Sequence, residues 1–101
     1  MLIVTDKTLA KWESSYPTAA PTLEHWKQVV KSQEFGNFVE LRKAFPSADQ
    51  VTVASGRPVV IFNIKRQFRL IAAIHYNHRT IYLLRFLTHT QYDTNKWKAE
   101  L

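Results

Sequence analysis

The hydrophobic pattern of this 101-residue chain changes its period once, close to residue 50. Up to that point apolar residues recur every three or four positions, and beyond it they alternate with other residues. A helix places residues three and four apart on one face, whereas a strand places every second residue on one face. The sequence therefore predicts helices first and strands second, which is the order of an α+β fold.

The beginning of the chain predicts a short strand followed by a helix. Residues 1–4 are apolar and β-prone, which favours a strand. Thr5 or Asp6 can cap a helix that starts at Lys7. Pro17 ends this helix, because the residue before a proline is pushed out of the helical region.

Two further helices are predicted before the period changes. Thr18 can cap the second helix. The apolar positions of that helix follow the helical period at Leu23, Trp26 and Val30. Asn37 with Glu40 resembles a capping box that opens a short third helix, and Pro46 stops it. We expect two or three N-terminal helices packed on one face of the sheet.

The second half of the chain predicts four strands joined by short turns. The predicted strands cover residues 51–53, 59–65, 68–76 and 81–88. Short connections between alternating segments are typical of a small, twisted antiparallel sheet. The tail, residues 90–101, is polar apart from Tyr92 and Trp97, and we expect it to form a terminal helical turn that frays.

The alternation also divides the side chains of the predicted sheet between two faces. Even-numbered positions are almost all apolar and are expected to pack on the helices: Val60, Phe62, Ile64, Phe68, Leu70, Ala72, Ile74, Tyr76, Tyr82, Leu84 and Phe86. Odd-numbered positions carry the polar and basic groups Asn63, Lys65, Arg69, His75, Arg85 and His89, with Ile71, Ala73, Leu83 and Leu87 between them. The second face is therefore predicted to be mixed and cationic.

Placing all these basic groups on one face requires connections with an odd number of residues, such as 66–68 and 77–79, or a β-bulge. A two-residue turn at 66–67 would instead bring Lys65 beside Phe68. The alternative interpretation of the charges is that they only protect an exposed sheet surface from aggregation.

Composition narrows the classes of partner and of site. Fourteen Lys and Arg against eight Asp and Glu give a net charge of +6, which favours a polyanionic partner. The chain has no cysteine, and no two histidines have the helical spacing of a zinc site. We expect one domain over residues 1–101, no metal or cofactor, no leader or membrane contact, and a cytoplasmic location.

Several motifs, taken in order, resemble the HigB family of bacterial toxins, which belongs to the RelE superfamily of messenger-RNA interferases. The motifs are Phe62-Asn63-Ile64-Lys65, Phe68-Arg69-Leu70, Arg85-Phe86 and Thr88-His89-Thr90-Gln91-Tyr92-Asp93, preceded by Phe45-Pro46-Ser47-Ala48-Asp49 and the helix of Trp26. The resemblance implies a RelE-like fold. It also implies a toxin of a type II toxin-antitoxin pair that cleaves messenger RNA on the ribosome and is silenced by a helix-turn-helix antitoxin of the HigA type, which can bind operator DNA.

Cleavage of RNA without a metal needs help for the attacking 2′-hydroxyl, for the charge on phosphorus and for the leaving 5′-oxygen. Arg69 is the candidate for the phosphate, because a guanidinium stays charged and can contact two oxygens. His89 is the candidate general acid, since imidazole titrates near neutrality. Tyr92 would orient a substrate base or stack on it.

Roles for the remaining basic groups stay open at this stage. Lys65 is either the general base or a phosphate clamp, and Arg85 is either a second clamp or the partner of a carboxylate. Asn63, Arg66 and His75 are expected to contact RNA. Two functions of other classes compete with the nuclease: a non-catalytic binder of RNA or of the ribosome, and a protein-interaction module that receives an acidic partner.

Overall fold

The computed structural model describes all 101 residues. Its N-terminal half contains β1 (Leu2–Val4), α1 (Asp6–Ser15), α2 (Ala20–Ser32) and α3 (Phe38–Ala44). Its C-terminal half contains β2 (Asp49–Thr52), β3 (Pro58–Ile64), β4 (Phe68–His75), β5 (Thr80–Thr88), α4 (His89–Asp93) and α5 (Lys96–Glu100). The predicted α+β class is confirmed. None of the helices has both the length and the apolar character that crossing a membrane requires.

The five strands form one sheet in the order β1-β5-β4-β3-β2. Strands β2 to β5 make the predicted antiparallel meander. The sheet as a whole is mixed, because β1 runs parallel to β5, with Leu2 opposite Thr80. Helices α1 to α3 lie between these two strands in sequence and provide the long connection that a parallel pair requires.

The helix starts follow the predicted caps at two places. Thr5 Oγ1 accepts the N–H of Thr8 at 3.1 Å, and Asn37 Oδ1 accepts the N–H of Glu40 at 3.0 Å. The Glu40 carboxylate turns back to the N–H of Gly36, at 2.7 Å, so the capping box reaches one residue further than usual. The prediction for the second helix was wrong: Thr18 lies in a 3-10 turn, and α2 begins at Ala20 without a side-chain cap.

The helices cover one face of the sheet with a continuous apolar core of 18 buried residues. Trp26 of α2 and Phe45 meet Phe62 of β3 edge to face, with ring centroids 5.3 and 5.0 Å apart. Leu70 of β4 is fully buried in the same core. The even-numbered residues of β3 and β4 therefore face the helices, as their alternation predicts.

A β-bulge in β5 reverses the alternation there. The pairing between β4 and β5 shifts by one residue between Ile71 and Ala72, which leaves Leu84 without a partner. Leu83 consequently packs on the helix-side core, whereas Tyr82 and Leu84 lie on the opposite face. The prediction that Tyr82 and Leu84 face the helices was wrong for this reason.

The opposite face, called the second face below, has a smaller core of its own. Its five buried residues are Val53, Val59, Ile61, Ile71 and Trp97. Trp97 of α5 is only 2% exposed, and the N–H of Ala54 donates to the carbonyl of Lys98 at 2.9 Å. The expectation of a fraying tail was wrong, because this tryptophan anchors the C-terminal segment to the sheet.

Candidate functional site

Three predicted site residues lie at the same end of the sheet, where β4 begins and β5 ends. Arg69 lies opposite Asn63 of β3 and Leu87 of β5. Its guanidinium carbon is 5.8 Å from the centre of the Tyr92 ring, close enough for a cation–π contact. His89 begins α4 directly after β5, and its N–H donates to a carbonyl of the neighbouring β-turn. Arg69, His89 and Tyr92 thus form the site cluster.

The Arg69 side chain is half-buried and is held by the backbone. Its Nη1 group donates to the carbonyl of Arg66 at 3.2 Å and to that of Phe68 at 2.9 Å. Its Nε and Nη2 groups donate no hydrogen bond to the protein. The charge is therefore fixed in place while part of the guanidinium remains available to an anion.

Tyr92 is held by Trp97. The two rings stack with centroids 5.4 Å apart, and the Trp97 indole donates to the Tyr92 carbonyl at 3.0 Å. Burial raises the pKa of the Tyr92 phenol above its ordinary value of 10.0. The carboxylates of Asp49 and Asp93 add to this rise in pKa, and Arg69 opposes it. The phenol is consequently neutral at physiological pH and can donate a hydrogen bond.

His89 is paired with a carboxylate that the sequence reasoning did not assign. Its Nδ1 lies 2.8 Å from Oδ2 of Asp93, one helical turn later. The start of α4 is fixed by a capping box, in which Thr88 and Gln91 exchange side-chain to backbone hydrogen bonds. Because Nδ1 is occupied, Nε2 is the nitrogen that remains available to a ligand. The four-residue spacing of His89 and Asp93 was the signal that could have found this pair.

The turn between β3 and β4 has the odd length that the parity argument requires. Ile64 pairs with Phe68, so the turn consists of residues 65–67 rather than the predicted 66–68. Lys65 lies in this turn, in the left-handed region with φ of 56°, and not in the strand. Lys65 and Arg66 are both exposed beside the start of β4, next to the site cluster.

Arg85 lies on the second face opposite Ile71. Its Nη1 group donates to the carbonyl of Leu84 at 2.8 Å. None of the four ion pairs in the structure includes Arg69 or Arg85. Arg85, like Arg69, thus has no carboxylate partner in the structure. Both guanidinium groups are therefore free to pair with the negative charge of a ligand.

His75 lies on the second face but is not brought to the site cluster. It ends β4, whereas Arg69 is near the beginning of the same strand. Six residues of strand correspond to about 20 Å. His75 instead contacts Tyr82 edge to face, with ring centroids 5.0 Å apart. The structure therefore separates His75 from the RNA contacts predicted for the other residues.

Asp49 is a second residue near the cluster that the sequence reasoning missed. It begins β2 opposite Ile61, a residue of the second-face core. Its carboxylate accepts the N–H of Gln50 at 2.9 Å and is exposed. The shared parity of Asp49 with Val51 could have placed it on this face. No group of three or more His, Cys, Asp or Glu side chains is arranged to hold a metal ion.

The fold, an α+β arrangement with one five-stranded sheet, is consistent with that of a RelE-like toxin. A family model described as the HigB toxin, the RelE-like toxic component of a toxin-antitoxin system, matches residues 19–95. The chain therefore belongs to the HigB toxin family, which confirms the resemblance seen in its motifs. Membership implies an antitoxin partner. The matched span includes Arg69, His89 and Tyr92. No curated protein matches the chain.

Proposed function

We propose that this toxin is a messenger-RNA interferase, an endoribonuclease that needs no metal, cuts messenger RNA on the ribosome in the cytoplasm and so stops translation. A helix-turn-helix antitoxin of the HigA type would neutralise it. The observation that carries the proposal is that Arg69, His89 and Tyr92 lie at one end of the sheet, with Arg69 over the Tyr92 ring and His89 paired with Asp93. A fixed cation can stabilise the charge on phosphorus, an oriented imidazole can protonate the leaving oxygen, and a neutral phenol can donate a hydrogen bond to the substrate.

In the proposed reaction the 2′-oxygen of the substrate attacks the adjacent phosphorus. The new bond joins the 2′-oxygen to phosphorus, and the bond from phosphorus to the 5′-oxygen breaks. The products are a 2′,3′-cyclic phosphate and a 5′-hydroxyl. Negative charge grows on the phosphate oxygens as the bonds change, and Arg69 stabilises it with the N–H groups that the protein leaves free. Arg85 acts as a second phosphate clamp.

His89 supplies the proton that the leaving 5′-oxygen needs. Asp93 holds Nδ1 at 2.8 Å and thereby directs Nε2 toward the substrate. Tyr92 donates a hydrogen bond to the substrate or packs against a base. Asn63, which lies opposite Arg69, and Arg66 in the adjacent turn contact the RNA backbone.

The proton of the 2′-hydroxyl has two candidate acceptors. Lys65 stands in the turn beside Arg69, but it must lose its own proton before it can act as a base. Asp49 carries a carboxylate, whose oxygens can accept a proton, and it lies close enough to Tyr92 to influence the pKa of that phenol. If Asp49 is the base, Lys65 serves as a phosphate clamp.

Binding of an anion without cleavage is the second candidate function. The observation that favours it is that Arg69 and Arg85 have no carboxylate partner, which suits RNA, the ribosome or an acidic protein equally. Loss of His89 separates the two functions, because a binder needs cations but not a proton donor.

The experiment compares purified wild-type protein with Arg69→Ala and His89→Gln on a messenger RNA, with and without ribosomes, in the presence of a metal chelator. His25→Gln is the matched control, since His25 is an exposed histidine on α2. We expect cut RNA from the wild type and the control, and a loss of about a hundredfold to ten-thousandfold in His89→Gln. Salt-sensitive binding without cut products, kept by His89→Gln and weakened in Arg69→Ala, would establish the binder instead.

A further inference from the structure

An apolar patch lies at the other end of the second face, away from the site cluster. It consists of Leu2, Val4, His75 and Tyr82. Leu2 is 65% exposed and Tyr82 is 40% exposed, which makes them two of the three exposed large hydrophobic residues of the chain. Exposed apolar groups that lie together often mark an interaction site, whereas single ones do not.

The sheet register brings these residues together on one face. Val4 of β1 lies opposite Tyr82 of β5, and Leu2 lies two residues before Val4. Ile3, between them, is buried in the helix-side core, so Leu2 and Val4 project to the second face. His75 contacts the Tyr82 ring at 5.0 Å.

The C-terminal helices do not cover this patch. Trp97 of α5 packs in a cluster with Val53, which follows β2, with Val59 and Ile61 of β3 and with Ile71 of β4. The patch lies on β1, β5 and the end of β4, on the other side of the sheet centre. The second face is therefore covered from β2 as far as Leu84 and Leu87 of β5, and it is open at β1 and at the start of β5, where Tyr82 lies.

A free cation adjoins the open patch. Arg85 follows Tyr82 by three residues on β5, about 10 Å along the strand, and the bulge at Leu84 keeps both side chains on the second face. Arg85 has no carboxylate partner in the chain. One continuous surface thus presents aliphatic and aromatic groups at one end and an unpaired positive charge at the other.

We propose that this surface docks an amphipathic segment of the antitoxin, with apolar side chains over Leu2 and Tyr82 and a carboxylate on Arg85. The charge of Arg85 selects an acidic partner, and the aliphatic groups of Leu2 and Val4 favour protein side chains over nucleotides. The next step rests on the proposed function, in which Arg85 binds a phosphate of the RNA. An antitoxin carboxylate bound to Arg85 would prevent this contact with RNA, which explains neutralisation.

The test measures the affinity of the purified toxin for the antitoxin encoded by the adjoining reading frame, without RNA. Tyr82→Lys and Leu2→Lys place a charge in the patch and are expected to weaken binding at least about tenfold. Val39→Lys is the matched control, because Val39 is 69% exposed on α3 and far from the patch in the fold. Its affinity should equal that of the wild type. Unchanged affinity in Tyr82→Lys, or an equal loss in Val39→Lys, overturns the proposal.

Two further measurements assign the occupant. Arg85→Gln should weaken the antitoxin complex and reduce its dependence on salt. Light scattering of the toxin alone tests a second copy of the chain: a dimer that Tyr82→Lys dissociates would overturn antitoxin docking. Weaker RNA binding by Tyr82→Lys with unchanged antitoxin affinity would assign the patch to RNA. Failure of the wild type to cut RNA would contradict the proposed function. It would not affect the test of docking, because the affinity for the antitoxin is measured without RNA.

Discussion

The two faces of the sheet are made by the same strands, yet they differ in what they hold. The helix-side face is closed by a core of 18 buried residues with stacked and edge-to-face aromatic rings. The second face has a core of only five buried residues, anchored by Trp97, with Arg69 and Arg85 beside it. One face provides most of the stability, and the other divides its area between a small core and exposed charge.

This difference matters for the site because the site cluster is built on the smaller core. Tyr92 stacks on Trp97, and the Arg69 guanidinium lies over Tyr92. The geometry of the cluster therefore depends on how α5 packs, whereas none of the three site residues packs in the helix-side core. Variants on the two faces should separate stability from activity.

The largest effect is expected from Trp97→Ala, which should lower the free energy of unfolding by about 3–5 kcal/mol. It should also lower RNA cleavage by the folded fraction, since Tyr92 loses the ring on which it stacks. Trp26→Ala is the control on the helix side, because Trp26 is equally buried and contacts Phe62. Urea unfolding and cleavage rates should show similar destabilisation in both and a loss of cleavage per folded molecule only in Trp97→Ala.

Arg69→Ala should lower the rate of RNA cleavage and leave the stability of the fold almost unchanged. Removing a preorganised charge at a transition state costs roughly a hundredfold to a thousandfold in rate. The half-exposed side chain contributes little to the core, so the free energy of unfolding measured in urea should change by less than about 0.5 kcal/mol. Arg42→Ala on α3 is the control, since Arg42 also donates to a backbone carbonyl and lies near an aromatic ring. Equal activity of the two variants would contradict the assignment of the phosphate site.

Asp93→Asn should lower the cleavage rate roughly tenfold. This loss lies at the lower end of what is typical when a group that orients a functional histidine is removed. Because Asp93 acts through His89 Nδ1, the double variant with His89→Gln should be no slower than His89→Gln alone. The test is a double-mutant cycle of single-turnover cleavage rates, measured for the wild type, the two single variants and the double variant. Independent, multiplying losses would show that Asp93 has another role.

The smallest effect is a pH dependence to which one tyrosine on each face contributes. Burial raises the pKa of Tyr76, on the helix side, and of Tyr92 above the ordinary 10.0. Each phenol holds its proton to higher pH in the folded protein than in the unfolded chain. The stability contribution is therefore fully present below pH 10.0 and is lost as pH rises through the raised values. Urea unfolding should show that the free energy of unfolding declines less steeply with rising pH in the Tyr76→Phe, Tyr92→Phe double variant than in the wild type.

The alternation of side chains predicted the faces wherever the strands are regular. Phe62 and Leu70 point to the helices and Asn63 and Arg69 to the second face, because the odd-length turn preserves the alternation. Tyr82 was assigned to the wrong face, since a bulge depends on packing against neighbouring strands and leaves no mark in the hydrophobic pattern.

Other features depend on contacts between distant parts of the chain. The parallel pairing of β1 with β5 joins residues almost eighty positions apart, and no local pattern specifies it. Trp97 is one of two aromatic residues in an otherwise polar tail, so periodicity could not reveal that it is buried. Parity also gives the face of a residue but not its position along the strand, which is why His75 was grouped with Arg69 although it ends the same strand.

The claim that the second face cuts RNA through the substrate's own 2′-hydroxyl is tested most directly by a single-atom change in the RNA. After the cut site is mapped on a messenger RNA, an otherwise identical substrate carries one 2′-deoxynucleotide immediately on the 5′ side of that site. We expect cleavage at that position to vanish, and the unmodified substrate to yield a 2′,3′-cyclic phosphate and a 5′-hydroxyl. Continued cleavage of the deoxy substrate, or intact RNA in both reactions, would contradict the claim.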